Sequence, residues 1–272
     1  MNNFQLSSQI KISGIGSASG LLLHQNSLYI ISDNSTFLYQ YSLSHKQLNK
    51  IPLAKNSKDN IAKANKLDFE SITKKGKKMY IFGSGSTKKR NTMCTFKPEN
   101  QKTKSHNIKD VYKDLRKFGE LSKQDLNIEG AFFSKQKWFF FQRGNGANSK
   151  NGIFILDNKN ETVIFNPISL PKIKNVEATF TDAILVNKTI YFLAAAEDSA
   201  STYLDGEILG TIVGSIDLKS LLVTNHQVIS TKNKFEGIAF ESETETEINF
   251  LLCEDNDTEL LETTIYNLKL TK

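Results

Sequence analysis

The 272-residue sequence predicts an all-β fold, a five-bladed β-propeller, on three observations. One motif recurs five times at nearly constant spacing. The intervals are filled with apolar or alternating runs of strand length, separated by turn residues. Amphipathic helical spacing is convincing at one place only. A repeat of roughly 54 residues carrying four short strands is the size of a propeller blade.

The motif is an apolar residue, an acid, a small residue and an aliphatic one, followed by an apolar run that ends in polar or glycine residues. Its copies are LDFESI (67–72) with MYIFGSGS (79–86), LNIEGA (126–131) with WFFFQRGNG (138–146), TFTDAI (179–184) with IYFLAAAED (190–198), and KFEGIA (234–239) with INFLLCED (248–255). An altered first copy, GSASGL (16–21) with LYIISDNS (28–35), puts Ser19 in the acid's place. Aligned this way, Ser19, Glu70, Glu129, Asp182 and Glu236 are 51, 59, 53 and 54 residues apart. The third repeat reads as four strands, EGAFFS, KWFFFQ, GIFILD and ETVIFN. The helix is expected near 109–118, where Val111, Tyr112, Leu115 and Phe118 share a face.

The fifth repeat has only three strands, ending in TTIYNLKL, while NFQLSSQIKI (3–12) is left over at the other end. An N-terminal strand completing the last blade would close the ring without an open sheet edge. The chain is then a single domain spanning 1–272. Six blades, the alternative, would need a further repeat.

Net charge is +6, unevenly placed: Lys46–Lys117 holds 20 basic and 6 acidic residues, Phe235–Leu268 10 acidic and none basic. Lysines scattered through Asn- and Ser-rich loops read as a solvated face. No helix-turn-helix, RNA-binding strand signature or arginine-rich run accompanies them, so nucleic acid is not an expected partner. Cys94 and Cys253 lie in strand-like runs and read as buried free thiols. No apolar run approaches the roughly 20 residues of a membrane span. The start lacks a signal-peptide pattern, which points to the cytoplasm, or to the periplasm or exterior if a signal has been removed. A monomer is expected.

In a propeller the first strand of each blade lines the axis, so Ser19, Glu70, Glu129, Asp182 and Glu236 are expected to form a ring. Like charges in a narrow channel repel and lose hydration. Two readings stand. A hard cation, Ca²⁺ before Mg²⁺, could offset them with oxygen ligands, or each acid could bond backbone N–H groups of the neighbouring blade. Zinc is disfavoured because no His or Cys enters the ring.

Strand polarity puts the ends of the second strands on the same face. They bring Asp33 and Asn34; Ser84, Ser86, Arg90 and Asn91; Gln142, Arg143 and Asn145; Glu197 and Asp198; and Glu254, Asp255 and Asp257. Arg143 and Arg90 suit bidentate recognition of phosphate or carboxylate, or are plain surface arginines. The long segment 194–210 adds Tyr203, Asp205 and Glu207 as a rim or lid. GSGSTKK (83–89) has the composition of a phosphate loop without its spacing. The four histidines fall off this face, which argues against a histidine triad.

The order Ser19, Glu70, Glu129, acid, Glu236, with SGLLLHQNSLYIISDN, WFFFQRGNG and KFEGIAF, resembles the calcium-activated nucleotidase (apyrase) family. FGSGSTKKRN, FQRGNG, FTDA and AAAEDSASTYLDGEILG look like an uncharacterised bacterial propeller group related to the esterase-like phytase and SdiA-regulated proteins. The apyrase resemblance implies a five-bladed propeller with a channel calcium, and assigns Ser19, Glu70, Glu129 and Glu236 to the calcium shell. Asp182 departs from that family, which carries a serine there. Asp33 falls at its acidic Asp-Asp-Arg segment and Arg143 at its Phe-Phe-x-x-Arg-like segment, but the full catalytic set is absent.

Two functions follow. In a Ca²⁺-dependent phosphoester or nucleotide hydrolase, Arg143 and Arg90 would bind phosphoryl oxygens while Asp33, Glu197 or Asp198 handles the attacking water. Asn34, Ser84, Asn91, Gln142, Asn145, Asp205 and Glu207 would contact the rest of the ligand. Alternatively the propeller is non-catalytic, binding a ligand or protein over a structural ion.

Overall fold

In a computed structural model, described here for residues 3–146, 150–198, 206–256 and 260–272, the chain is a five-bladed β-propeller. Blade 1 comprises β2 (Ala18–His24), β3 (Ser27–Ser32), β4 (Phe37–Ser42) and β5 (Gln47–Pro52). Blade 2 comprises β6 (Phe69–Lys75), β7 (Lys78–Gly83), β8 (Thr92–Lys97) and β9 (Lys102–Asn107). Helix α1 (Lys109–Gly119) follows and leads to blade 3: β10 (Ile128–Ser134), β11 (Lys137–Gln142), β12 (Gly152–Asp157) and β13 (Thr162–Pro167). A hairpin unforeseen in the sequence, β14 (Lys172–Ile173) and β15 (Val176–Glu177), precedes blade 4: β16 (Thr179–Val186), β17 (Thr189–Asp198), β18 (Glu207–Asp217) and β19 (Val223–Ser230). Blade 5 is β20 (Lys234–Glu243), β21 (Glu247–Asp255) and β22 (Glu262–Thr271), with β1 (Phe4–Ser13) as its outer strand.

The expected closure is present. β1 runs antiparallel to β22 from Phe4↔Leu270 to Ser13↔Glu262, so the outer edge of β22 is covered by the other end of the chain. The inner strands β2, β6, β10, β16 and β20 pack successively on one another, and β20 returns to β2.

Each pair of neighbouring blades encloses its own apolar core. Phe69, Met79 and Phe96 meet Tyr29 and Leu38 between blades 1 and 2; Phe141 and Phe180 lie between blades 3 and 4; Phe235 and Phe250 face Leu193 and Val213 between blades 4 and 5. Truncating such a fully buried ring to Ala typically costs about 3–5 kcal/mol. Cys94 and Cys253 lie in two of these cores as buried free thiols, and burial raises Cys94 to about 11.

Helix α1 wedges into the core between blades 2 and 3 through Tyr112 and Leu115, while Phe118 at 50% exposure turns outward. The Tyr112 hydroxyl donates to the carbonyl of Gly83 at 2.5 Å, tying the helix to the end of β7.

Candidate axial site

Every inner strand carries a β-bulge near its start, and in four of the five the extra residue is the one the repeat singles out. The register skips Ser19, Glu70, Glu129 and Glu236 in blades 1, 2, 3 and 5. A bulge re-aims its unpaired side chain without costing the rest of the ladder. In blade 4 the skipped residue is Thr181, one position before Asp182. The fourth place in the ring therefore belongs to a hydroxyl, which corrects the repeat alignment.

The two hydroxyl positions act alike. Ser19 Oγ donates to Phe69 O at 2.5 Å and Thr181 Oγ1 to Phe235 O at 2.7 Å, each reaching the inner strand of the next blade. Asp182 is also an inter-blade staple: its carboxylate accepts from the N–H of Ala183 at 2.8 Å and of Ile238 at 2.9 Å. Burial pushes that carboxyl well above its usual range although both N–H groups oppose the shift. Small residues beside the bulges let the inner strands approach. A Cβ on Gly237 would stand 2.8 Å from Leu21 N and 2.5 Å from Cys253 Sγ.

Glu129 and Glu236 are answered by the protein's own cations. Arg143 Nη1 lies 3.4 Å from Glu129 and 3.7 Å from Glu236, while Nη2 lies 2.7 Å from Glu197. Lys234 Nζ is 2.8 Å from Glu236, 3.1 Å from Glu197 and 3.3 Å from Asp255. Burial would raise Glu197, but Arg143 and Lys234 outweigh it and bring its carboxyl down to about 2. Gln142 braces the Arg143 loop, donating to Asp125 O at 2.6 Å and Arg143 O at 2.8 Å and accepting from Asn127 N at 2.9 Å. Asn127 Nδ2 donates to Glu129 at 2.6 Å and to Asn145 at 3.4 Å.

On the blade 1–2 side the balance is different. Carboxylate oxygens of Asp33, Asp68 and Glu70 lie within 4.8 Å of one another. Lys66 pairs with Asp33 at 2.5 Å, and Arg90 with Asp68 at 2.6 Å; Ser84 Oγ also donates to Asp68 at 2.5 Å. Glu70, at 8% exposure, has neither hydrogen bond nor ion pair among the described residues. Asp33 Oδ1 is buried and likewise lacks a hydrogen-bond partner. Burial, then the charges of Glu129, Asp68 and Glu236, push the Glu70 carboxyl well above the usual range. Burial and Asp255 push Asp33 up to about 7 against the pull of Lys66. Among the described residues, Lys66, Arg90, Arg143 and Lys234 pair directly with carboxylates around the mouth, and the charge of Lys63 also acts on Asp68.

Sequence reasoning missed Asp68, Lys234 and Lys66. A signal for the first two is present: Ser17, Asp68, Asn127, Thr179 and Lys234 all stand two residues before the bulge position and form a second polar tier. Of the other expected site residues, Asn34 bonds Ser32 and Ser17, and Asn91 faces a separate cavity toward α1. Ser86 accepts from Arg90 Nη1 at 2.9 Å and also borders that cavity. Asp198 and Glu207 are exposed and pair in the β17–β18 ladder. Glu254 is held by Asn233 and Tyr266 rather than by the acidic cluster. Tyr203, Asp205 and Asp257 lie outside the described residues.

No helix among the described residues is long and apolar enough to cross a membrane. The chain is similar to the glutaminyl cyclase of Myxococcus xanthus, at 13% identity over 98% of this chain and 97% of that one, with a TM-score of 0.52. It is also similar to the allergen Mala s 1 of Malassezia sympodialis (8%, 95% of each chain, TM-score 0.54). An exo-1,5-alpha-L-arabinanase from a bovine ruminal metagenomic library gives 11% identity over 98% of this chain and 99% of that one, with a TM-score of 0.53. At these identities the likeness carries the fold alone. No curated protein matches the sequence. Neither the family description nor these three structures names a nucleotidase or a phytase. The family match runs from residue 14 to residue 270, almost the whole propeller, and the chain belongs to the family of unknown function DUF6929.

Proposed function

We propose that the protein is a Ca²⁺-binding propeller that recognises a small molecule at its axial mouth, with the cation held by Asp33, Asp68 and Glu70. The observation that carries the reading is Glu70: a carboxylate at 8% exposure, within 4.8 Å of two more, with no cation or donor of its own among the described residues. Three carboxylates offer up to six oxygens, and Ca²⁺ takes about six to eight, so water or a ligand oxygen would complete the shell. Asp33 and Asp68 keep their pairs with Lys66 and Arg90, but Glu70 between them has none among the described residues, whereas Glu129 and Glu236 each meet a cation directly.

Binding without turnover fits better than hydrolysis. The arginines suited to stabilising a transferring phosphoryl group are both engaged, Arg143 by three carboxylates and Arg90 by Asp68. Phosphoester hydrolysis at the same mouth is the second reading, favoured by Asp33, whose buried Oδ1 has no hydrogen-bond partner beside the acidic cluster.

The deciding experiment is thermal melting with Ca²⁺ or EGTA. A ligand at about 100 times its Kd contributes about 2.7 kcal/mol, an increase of about 5 °C for a protein of this size. Glu70→Gln should abolish that increment. An unchanged melting curve overturns the cation reading. Ca²⁺-dependent turnover of a phosphoester panel, lost in Asp33→Asn, would replace binding by hydrolysis.

A further inference from the structure

Away from the axis, a cavity of about 460 Å³ opens between the loop after β7 and helix α1. Its charged lining is wholly basic: Lys88 from the loop, Lys109 and Arg116 from the helix, and Lys123 beyond it. None of these four has an ion pair among the described residues. Cations gathered without a carboxylate repel one another, and burial lowers Arg116 from its usual value.

The floor holds the independent sign. Asn91 lines the cavity at 9% exposure, and its Nδ2 donor makes no hydrogen bond among the described residues, whereas its Oδ1 is sealed away from the cavity. The walls are preformed. Gly85, at φ +80°, leaves no room for a side chain, because a Cβ there would stand 2.6 Å from the Tyr112 ring. Tyr112 in turn holds Gly83 O at 2.5 Å, and Gly85 N donates to Arg90 O at 3.2 Å.

We propose that this cavity is a binding site for a small organic phosphate of nucleotide size, its phosphate oxygens taken by Lys88, Lys109, Arg116 and Lys123 and a polar edge by Asn91. The volume lies in the range of about 300–1,000 Å³ usual for small-molecule sites. The cavity is open to solvent on one side, where Lys88, Lys109 and Lys123 are exposed, and its volume suits a ligand of nucleotide size. The site is independent of the axial cation.

Isothermal titration with ATP, inorganic pyrophosphate and adenosine in EGTA tests it. ATP and pyrophosphate should bind, adenosine should not, and raising the salt should weaken binding. Arg116→Ala with Lys123→Ala should weaken ATP at least tenfold, whereas removing an exposed charge elsewhere, Lys188→Ala between β16 and β17, leaves it unchanged. If that double variant fails to fold, Lys88→Ala with Lys123→Ala carries the same expectation. No binding of ATP or pyrophosphate at millimolar concentration overturns the proposal, as does unaltered affinity in the folded double variant. An RNA oligomer held more tightly than ATP through the same residues overturns the small-molecule class.

Discussion

The hydroxyl of Thr181 donates a 2.7 Å hydrogen bond to the carbonyl of Phe235, which begins the bulge of the next blade. Ser19 repeats the arrangement on Phe69 at 2.5 Å. Two of the five bulges are therefore spent on joining blades, and the three with glutamates are left to shape the axial charge.

Replacing Thr181 by Val removes the donor at nearly constant volume and leaves the Phe235 carbonyl without it. The expected cost is about 1–3 kcal/mol, seen as a lower urea midpoint with an unchanged m-value. Ca²⁺ stabilisation should persist, since this bond lies outside the acidic cluster.

Among the ring glutamates, Glu129 and Glu236 each meet a cation directly, whereas Glu70 meets none among the described residues. Glu70→Gln should abolish Ca²⁺ stabilisation, whereas Glu129→Gln should retain it. Loss in both variants would place the ion on the axis instead, and retention in both would remove it from Glu70. Melting curves with and without EGTA separate the outcomes.

Arg143 meets three carboxylates at 5% side-chain exposure. Arg143→Ala leaves them uncompensated in a buried setting, a change that typically costs about 3–5 kcal/mol. Equilibrium denaturation should show it, and Arg143→Lys should recover only part because the planar fork is lost.

Glu197 supplies the clearest pH dependence. Its folded value of about 2 lies below the ordinary 4.5, so its contribution is present above pH 4.5 and lost as pH falls toward 2. The stability gap between the native protein and Glu197→Gln should be widest above pH 5 and close on acidification. A gap independent of pH between 6 and 2.5 would mean that the ion pairs of Glu197 contribute nothing to stability.

Blade number, ring closure, the helix and the buried cysteines were legible because each rests on local patterning that the backbone period turns directly into structure. The fourth ring position was not. In TFTDAI both Thr181 and Asp182 fit the repeat by type, and the choice between them is made by a backbone bulge that no residue type announces. The functional face was legible as a region but not in its pairings. Arg143 and Lys234 reach across the mouth on long side chains, a contact invisible to spacing along the chain. Asn91 stands one residue before β8, and its position in sequence does not reveal that it lines a cavity against α1.

The pairing of β1 with β22 makes the fold nearly cyclic, since Thr271 N also donates to Asn3 O at 3.1 Å. Closing that seam joins the most distant parts of the sequence, so β1 must wait during synthesis until the last strand emerges, and loop-closure entropy falls on this step. A circular permutant linked across the seam and reopened in the turn at Lys135–Gln136 would convert the slowest pairing into a local hairpin.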